Sequence, residues 1–295
     1  MSIQRKLGLV LEGGAHRAIY TAGVLDVFNE RGISFDGVIG VSAGAIHGCS
    51  FVSGQKGRSI DYTLKYAKDK RYMSFYSWLT TGNLVGEQFC YHDLPEKLFP
   101  FNHEAFEKSA TKFYVTCSNM ETGLAEYICC DELRTKMPYL RASASIPFLS
   151  HHSEVDGKKL LDGGVTDSIP LEAFQKMGYT HCVVVQTHAA GYAEKNYPLV
   201  NWLARFKYGK YPQFIRAFEK LKENYNNELA YIEKEQQKGN AFVIRPSRHI
   251  KISHTEKNPK VLRAVYQMGR ADAVKVLPKL REFMKSAAQK CNIPA

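Results

Sequence analysis

The stretch Gly40-Val41-Ser42-Ala43-Gly44 constrains this chain more than any other. It follows the apolar pair Val38-Ile39 and opens onto Ala45-Ile46-His47-Gly48-Cys49, so it reads as strand, sharp turn, helix. A serine on such a turn is lifted off the strand end, its Oγ exposed above the N-terminus of the following helix. Gly40 and Gly44 have a steric reason to flank it, because a larger side chain would collide with the neighbouring strand or helix. The serine becomes a nucleophile only if a base takes its proton and fixed donors meet the developing oxyanion.

The donors lie upstream. Leu7 to Leu11 is a continuous apolar run, as expected of a strand buried on both faces, and Gly13-Gly14-Ala15 breaks it. Ile19 to Arg31 reads as a helix with Ala22, Val24, Leu25 and Phe28 inward, stopped by Gly32. Val38 to Val41 is the second strand. Residues 7–41 therefore form a strand–helix–strand unit, which predicts a parallel sheet with a right-handed crossover. Gly13-Gly14 and Ser42 then share the carboxyl edge, where open α/β sheets bind ligands. Gly13-Gly14-Ala15 presents consecutive backbone N–H groups before a helix. A phosphate-cradling loop is the rival reading, but G-x-G-x-x-G is not met at 13–18 and no G-K-[ST] follows.

Residues 55–110 read as mostly helical and irregular, rich in aromatics that form a lid or wall over the site or simply pack in the core. Lys112 to Ser118 is a strand and Leu124 to Cys130 pairs with it. Glu132 to Ala144 is helical until Ser145-Ile146-Pro147 ends it. Asp156-Gly157 turns a hairpin between Val155 and Leu160-Leu161. Asp162-Gly163-Gly164 follows, placing a carboxylate at the end of an extended segment. Asp162 is the candidate base, although Asp-Gly is also ordinary turn chemistry. The order Ser42, Asp162, His also suits an α/β-hydrolase triad completed by His181, His188 or His249. Pro170 to Met177 reads as a helix, and His181 to Gln186 as a buried strand. Phe214, Phe218, Leu221, Tyr225, Leu229 and Ile232 recur at three- and four-residue steps, which predicts one long amphipathic helix. Ala241 to Pro246 is a further strand, and Pro259 to Lys290 a helix with Pro278 as a kink.

At 44% hydrophobic and 23% charged residues the composition is that of a globular protein. No apolar run approaches the ~18 residues that span a bilayer. The five-residue apolar run after Arg5 and Lys6 is too short for a secretory signal and ends at Glu12. Seven cysteines, an odd number with no C-x-x-C, read as reduced thiols rather than disulfides or a metal site. Charge is uneven: residues 1–200 carry 20 Lys+Arg and 21 Asp+Glu, whereas residues 201–295 carry 20 and 8. A basic module favours anionic lipid or nucleic acid, or serves only as a solvated face. Residues 1–195 are expected to be the catalytic domain and residues 196–295 a basic, mostly helical extension packed on it.

Four blocks, Gly13-Gly14-Ala15-His16-Arg17-Ala18, Gly40-Val41-Ser42-Ala43-Gly44, Ala142-Ser143-Ala144-Ser145-Ile146-Pro147 and Asp162-Gly163-Gly164, together resemble the patatin-like phospholipase family across roughly residues 6–190. The basic C-terminal third looks like the extension of a bacterial branch of that family. The resemblance implies a three-layer α/β/α fold with a mainly parallel central sheet. It also implies a Ser–Asp dyad without histidine, Ser42 as nucleophile and Asp162 as base. The N–H groups around Gly13, Gly14 and Ala15 would hold the oxyanion, and Arg17 would act as electrostatic support or structural anchor. Gly40, Gly44, Gly163 and Gly164 support the motifs.

The family usually has glycine where this chain has Ala15 and Ala18. If position 15 has φ > 0, alanine costs on the order of 1 kcal/mol; if φ is negative it is harmless. The expected activity is hydrolysis of lipid acyl esters, of phospholipase A, lysophospholipase or carboxylesterase type, in lipid catabolism or membrane lipid turnover. No cofactor or metal is expected. Acyl transfer to an alcohol or thiol is the alternative within the same chemistry, and a non-catalytic module for anionic surfaces or nucleic acid the alternative outside it. No motif supports specific nucleic-acid binding. The run Trp202 to Tyr211 mixes aromatics and cations as membrane-contacting segments do, so the expected setting is the cytoplasm with peripheral contact at an anionic inner membrane surface.

Overall fold

In the computed structural model, which describes residues 6–195 and 197–291, strand β1 (Leu7–Leu11) and strand β2 (Gly37–Val41) are joined by helix α1 (Ile19–Glu30). The two strands pair in parallel, Leu9 opposite Val38, as the strand–helix–strand pattern requires. Ser42 follows β2 and stands at the N-cap of α2 (Ala43–Val52). Helices α3 (Arg58–Tyr66) and α4 (Phe75–Thr81), a π-helical stretch at Phe89–Leu98 and α5 (His103–Glu107) make up the aromatic-rich segment. Strands β3 (Lys112–Asn119) and β4 (Ala125–Cys129) then pair antiparallel, and α6 (Leu133–Ser143) ends before Ser145-Ile146-Pro147. The hairpin of β5 (Ser153–Val155) and β6 (Lys158–Asp162) turns through Asp156 and Gly157, both at positive φ, the two-residue geometry that Asp-Gly favours. Helix α7 (Leu171–Lys176) leads to β7 (His181–Val185). Beyond lie α8 (Pro198–Lys207), α9 (Pro212–Glu219), α10 (Leu221–Gln237), β8 (Ala241–Ile244) and α11 (Pro259–Cys291).

The sheet runs β5-β6-β3-β2-β1-β7-β8, with β4 on β3. Its β3-β2-β1-β7-β8 portion is parallel. Side-chain alternation across β1 divides the interior. Leu9 and Leu11 join residues of α1, α2, α6 and α11 on one face. Val10 joins Ile39, Val184, Phe174 of α7, and Tyr225 and Ile232 of α10 on the other. Helices therefore cover both faces of a mainly parallel sheet, the expected three-layer arrangement, and this double burial is why β1 and β7 read as unbroken apolar runs.

The residue 195/196 boundary is crossed by backbone pairing. β8 extends the central sheet in parallel with β7, Val184 opposite Val243, and α11 lies against α1. There Gly23 and Gly269 face the partner helix's backbone: a Cβ on Gly23 would stand 2.2 Å from the Tyr266 carbonyl oxygen, and one on Gly269 2.0 Å from that of Tyr20. Only glycine permits so close a crossing. The Tyr266 hydroxyl donates to Asp26 (2.6 Å), and Arg270 pairs with Glu30 through both guanidinium NH groups (2.8 and 2.9 Å).

The single long helix expected over Phe214–Ile232 is instead two, α9 and α10, broken at Lys220 (φ −88°, ψ 0°). The apolar stripe serves two different cores. Phe214 and Phe218 pack with Phe148 and Tyr208, whereas Tyr225 and Ile232 pack under the sheet, and one straight helix cannot face both. Among the described cysteines Cys49, Cys90, Cys117, Cys129, Cys130 and Cys182 are free thiols, and the Cys291 side chain lies outside the described residues.

Candidate active site

Strand β3 sets the separation of the two key strand ends. Val41, the last residue of β2, pairs with Thr116; Asp162, the last of β6, pairs with the next residue, Cys117. Ser42 and Asp162 are thereby neighbours, and the Ser42 side chain lies near enough to the Asp162 carboxylate to favour its ionised form. The carboxylate accepts the Gly164 N–H at 2.8 Å. Both side chains are buried. Burial pushes the Asp162 carboxyl up to about 6 against the opposing pull of the Ser42 side chain and the Gly164 N–H, a range suited to a general base near neutrality.

One turn at the end of α6 holds both partners. The Ser42 N–H donates to the Ser143 hydroxyl (2.9 Å), and the Asp162 N–H donates to the Ser145 carbonyl (2.9 Å). Ser42 itself sits at φ 55° and ψ −127°, a strained conformation costing about 1–3 kcal/mol that persists only when its surroundings enforce it. Gly40 and Gly44 stand where a Cβ would fall 2.6 Å from backbone atoms of Ala45 and Leu11 respectively, and Gly163 where one would fall 2.4 Å from the Thr116 carbonyl oxygen.

The Gly13–Ala15 loop faces the serine. A Cβ on Gly13 would lie 3.1 Å from the Ser42 Cβ. Among the described residues the N–H groups of Gly13, Gly14 and Ala15 donate to no backbone carbonyl. Ala15 has φ 47°, so the alanine carries the left-handed cost of about 1 kcal/mol. Ala18, at φ −68°, carries none.

The loop is fastened by residues that the sequence did not single out for the site. Glu12, wholly buried, accepts the Tyr225 hydroxyl and the Thr187 N–H, each at 2.6 Å, and the Thr187 hydroxyl donates to the Gly13 carbonyl at 2.9 Å. Burial raises the Glu12 carboxyl, opposed by these hydrogen bonds and by the charge of Arg17.

Ser42 stands between two cavities. One, of about 110 Å³ and apolar, is lined by Ile46, Tyr62, Leu94, Met137 and Leu140; the aromatic-rich segment forms much of its wall. The other, of about 460 Å³, contains Ser42, Asp162, Gly14, Arg17, His188 and Tyr225. Arg17 turns its side chain along this second cavity, and its buried Nε has no hydrogen-bond partner among the described residues.

The three histidines of the alternative triad occupy different places. His181 opens β7 opposite Leu7, at the amino edge of the sheet, on the order of 13 Å of strand from the carboxyl edge. His188 lines the larger cavity but stacks on Tyr192 (ring centroids 3.5 Å apart), and burial with the nearby Arg17 charge lowers it to about 3. His249 packs near the same tyrosine. The Asp162 carboxylate accepts the Gly164 N–H. Among the described residues no cluster of three metal-ligating side chains occurs, and no helix is long and apolar enough to cross a membrane.

Comparison with known proteins gives a family match. The model of a family described as patatin-like phospholipase matches residues 9–174, and that of a domain of unknown function matches residues 211–285. An uncharacterized protein of Escherichia coli K12, YjjU, is 26% identical over 277 residues, covering 90% of this chain and 75% of that protein. Lysophospholipase nte1 of Emericella nidulans is 29% identical over 180 residues, covering 59% of this chain but only 11% of the fungal protein. The crystal structure of VipD from Legionella pneumophila aligns with a TM-score of 0.46 at 12% identity, over 94% of this chain and 67% of that one.

Proposed function

The chain belongs to the patatin-like phospholipase family, a family of ester-bond hydrolases, and we propose that it cleaves lipid acyl esters through Ser42 and Asp162. The observation that carries this reading is the placement of a strained, buried serine beside a buried carboxylate, set by neighbouring positions on β3, with the carboxyl raised to about 6. A carboxylate is a weak base in water, but desolvation brings its basicity toward that needed at neutral pH. Ser42 Oγ attacks the ester carbonyl carbon as Asp162 takes its proton. The carbonyl oxygen becomes an oxyanion, met by the N–H groups of Gly14 and Ala15, which have no backbone acceptor among the described residues. The intermediate collapses, the C–O bond breaks, and Asp162 returns the proton to the departing alcohol. Water, deprotonated by Asp162, then attacks the acyl-serine; the bond from the acyl carbon to Ser42 Oγ breaks, Asp162 returns the proton to Ser42 Oγ, and the carboxylic acid is released.

The two cavities supply the division that this chemistry needs. The apolar one takes the acyl chain, and the larger one takes the alcohol portion and water. The E. nidulans relative is named for lysophospholipid cleavage, and a lysophospholipid or related lipid ester is the substrate class proposed for this chain. The test is covalent labelling by a fluorophosphonate, which marks activated serines. Labelling is expected on the unaltered protein and absent from Ser42→Ala; labelling that survives the substitution would falsify the assignment.

A further inference from the structure

Two helices flanking the larger cavity carry large apolar side chains toward solvent. On α4, Phe75 and Leu79 are 62% and 76% exposed; on α8, Trp202 and Phe206 are 62% and 87% exposed. The two helices meet at Phe148, which lines the cavity holding Ser42 and Asp162. Trp78 of α4 donates its indole N–H to the Phe148 carbonyl (3.2 Å), and the Phe148 N–H donates to the hydroxyl of Tyr208, the residue after α8 (3.0 Å). Tyr197 and Val200, at the start of α8, line the same cavity. The exposed apolar residues therefore stand on two helices that are joined to the cavity wall through Phe148, Tyr197 and Val200.

Exposed leucine and aromatic side chains gathered on two joined helices mark an interaction surface. The charge around them narrows the partner. Residues 198–211 hold Arg205, Lys207 and Lys210 and no acid, and residues 65–71 hold four basic residues against one acid, Asp69. Arg205 is engaged with Glu219 and Arg71 with Asp69. Lys70 lies over the Tyr76 ring and Lys207 over that of Phe148, placing cations beside the aromatic side chains. Apolar side chains bordered by lysine are what an interfacial helix lays into the headgroup region of a bilayer. A second copy of the chain fits less well, because two such faces would bring like charges together and close both cavities.

We propose that α4, α8 and the Phe148 junction form a docking face for an anionic lipid surface, with the Ser42 cavity opening toward it. The proposal rests on the lipid-ester reading only for what enters the cavity, and docking is measured without turnover. The full chain is mixed with vesicles of phosphatidylcholine alone, or of phosphatidylcholine with phosphatidylglycerol, and sedimented. Binding is expected on the mixed vesicles, weaker on the neutral ones and weakened by salt. The double substitution Leu79→Glu with Phe206→Glu is expected to lower binding at least about ten-fold, since each places a charge at the membrane interface. Neither residue lines the Ser42 cavity, so hydrolysis of a short water-soluble ester should be unchanged, which also reports that the variant is folded.

Vesicle binding that survives the double substitution overturns the proposal, as does absence of binding by the unaltered chain. Equal binding to neutral vesicles overturns the anionic preference. A dimer of the unaltered chain that the double substitution dissolves assigns the face to a second copy instead. Vesicle binding lost in the variant, with no ester hydrolysis by either protein, leaves docking standing and removes the catalytic reading.

Discussion

The Ser42 N–H donates to the Ser143 hydroxyl across 2.9 Å, joining the turn after β2 to a residue 101 positions later. This bond satisfies a buried donor on a backbone that is itself strained. Ser143→Ala leaves that donor without its acceptor, and the expected cost is about 1–3 kcal/mol of stability. The serine should also lose its alignment, so kcat should fall roughly ten-fold with KM little changed. Urea unfolding and steady-state kinetics on a soluble ester measure the two effects. A variant with unchanged kcat would show that the turn holds Ser42 without Ser143.

On the proposed mechanism, Asp162 links activity to pH. Only its ionised form can take the Ser42 proton, so kcat/KM should rise through about pH 6. Stability should move the other way. The carboxyl titrates near 3.8 in its ordinary state and near about 6 in the fold. Between those values the folded chain binds the extra proton, so stability is full below the lower value and falls as pH rises through the upper one, by up to about 3 kcal/mol.

Asp162→Asn removes that burden while keeping an acceptor for Gly164. It should abolish activity, by on the order of 10³-fold, yet raise the melting temperature at pH 8, with the gain vanishing near pH 4. A lower melting temperature at pH 8 would mean that the carboxylate is stabilising in its ionised form.

Ala15 answers the conditional set by its departure from glycine, because its φ is 47°. Ala15→Gly should relieve the left-handed cost of about 1–2 kcal/mol but give back about 0.4–1 kcal/mol through the freer unfolded chain. A net gain near 0.5 kcal/mol with activity retained is expected. Ala15→Val, β-branched at the same φ, should lose both stability and activity. Thermal melts and ester kinetics on the pair separate loop strain from loss of the side chain.

The apolar cavity is narrow enough for one side chain to reset its length. Met137, on α6, lines it. Met137→Trp should reduce kcat/KM about ten-fold or more on long-chain esters and less than about three-fold on acetate esters, as pocket truncation acts through methylene contacts. A parallel loss on both would place the acyl chain elsewhere.

The turn at Ser42 and the glycines around it were legible because sharp turns and close backbone approaches impose local steric rules that survive in a single sequence, whereas Asp162-Gly163-Gly164 on its own read equally as an ordinary turn and its proposed role came from the family resemblance. The strand–helix–strand order was legible for the same reason, since periodicity is local. Glu12, Thr187, Tyr225 and the bond from Ser42 to Ser143 were not. Their roles depend on partners 175, 213 and 101 residues away, and no spacing rule encodes such meetings. The break at Lys220 was hidden because one apolar stripe continues through it, while the two cores it serves exist only in three dimensions. The aromatics of residues 55–110 read as lid, wall or core, and the exposure of Phe75 appears only once α4 is placed against Phe148.

The hydroxyl of Tyr225 reaching Glu12 has a consequence for the order of assembly. The glycine loop is made early in synthesis, but its carboxylate anchor waits for a residue 213 positions downstream. Contacts of such separation close late, because loop entropy must be overcome before they form. A nascent chain would thus carry Ser42 and Asp162 for some time before the loop opposite them is fastened. On the proposed mechanism, full activity is then expected only after that distant contact has closed.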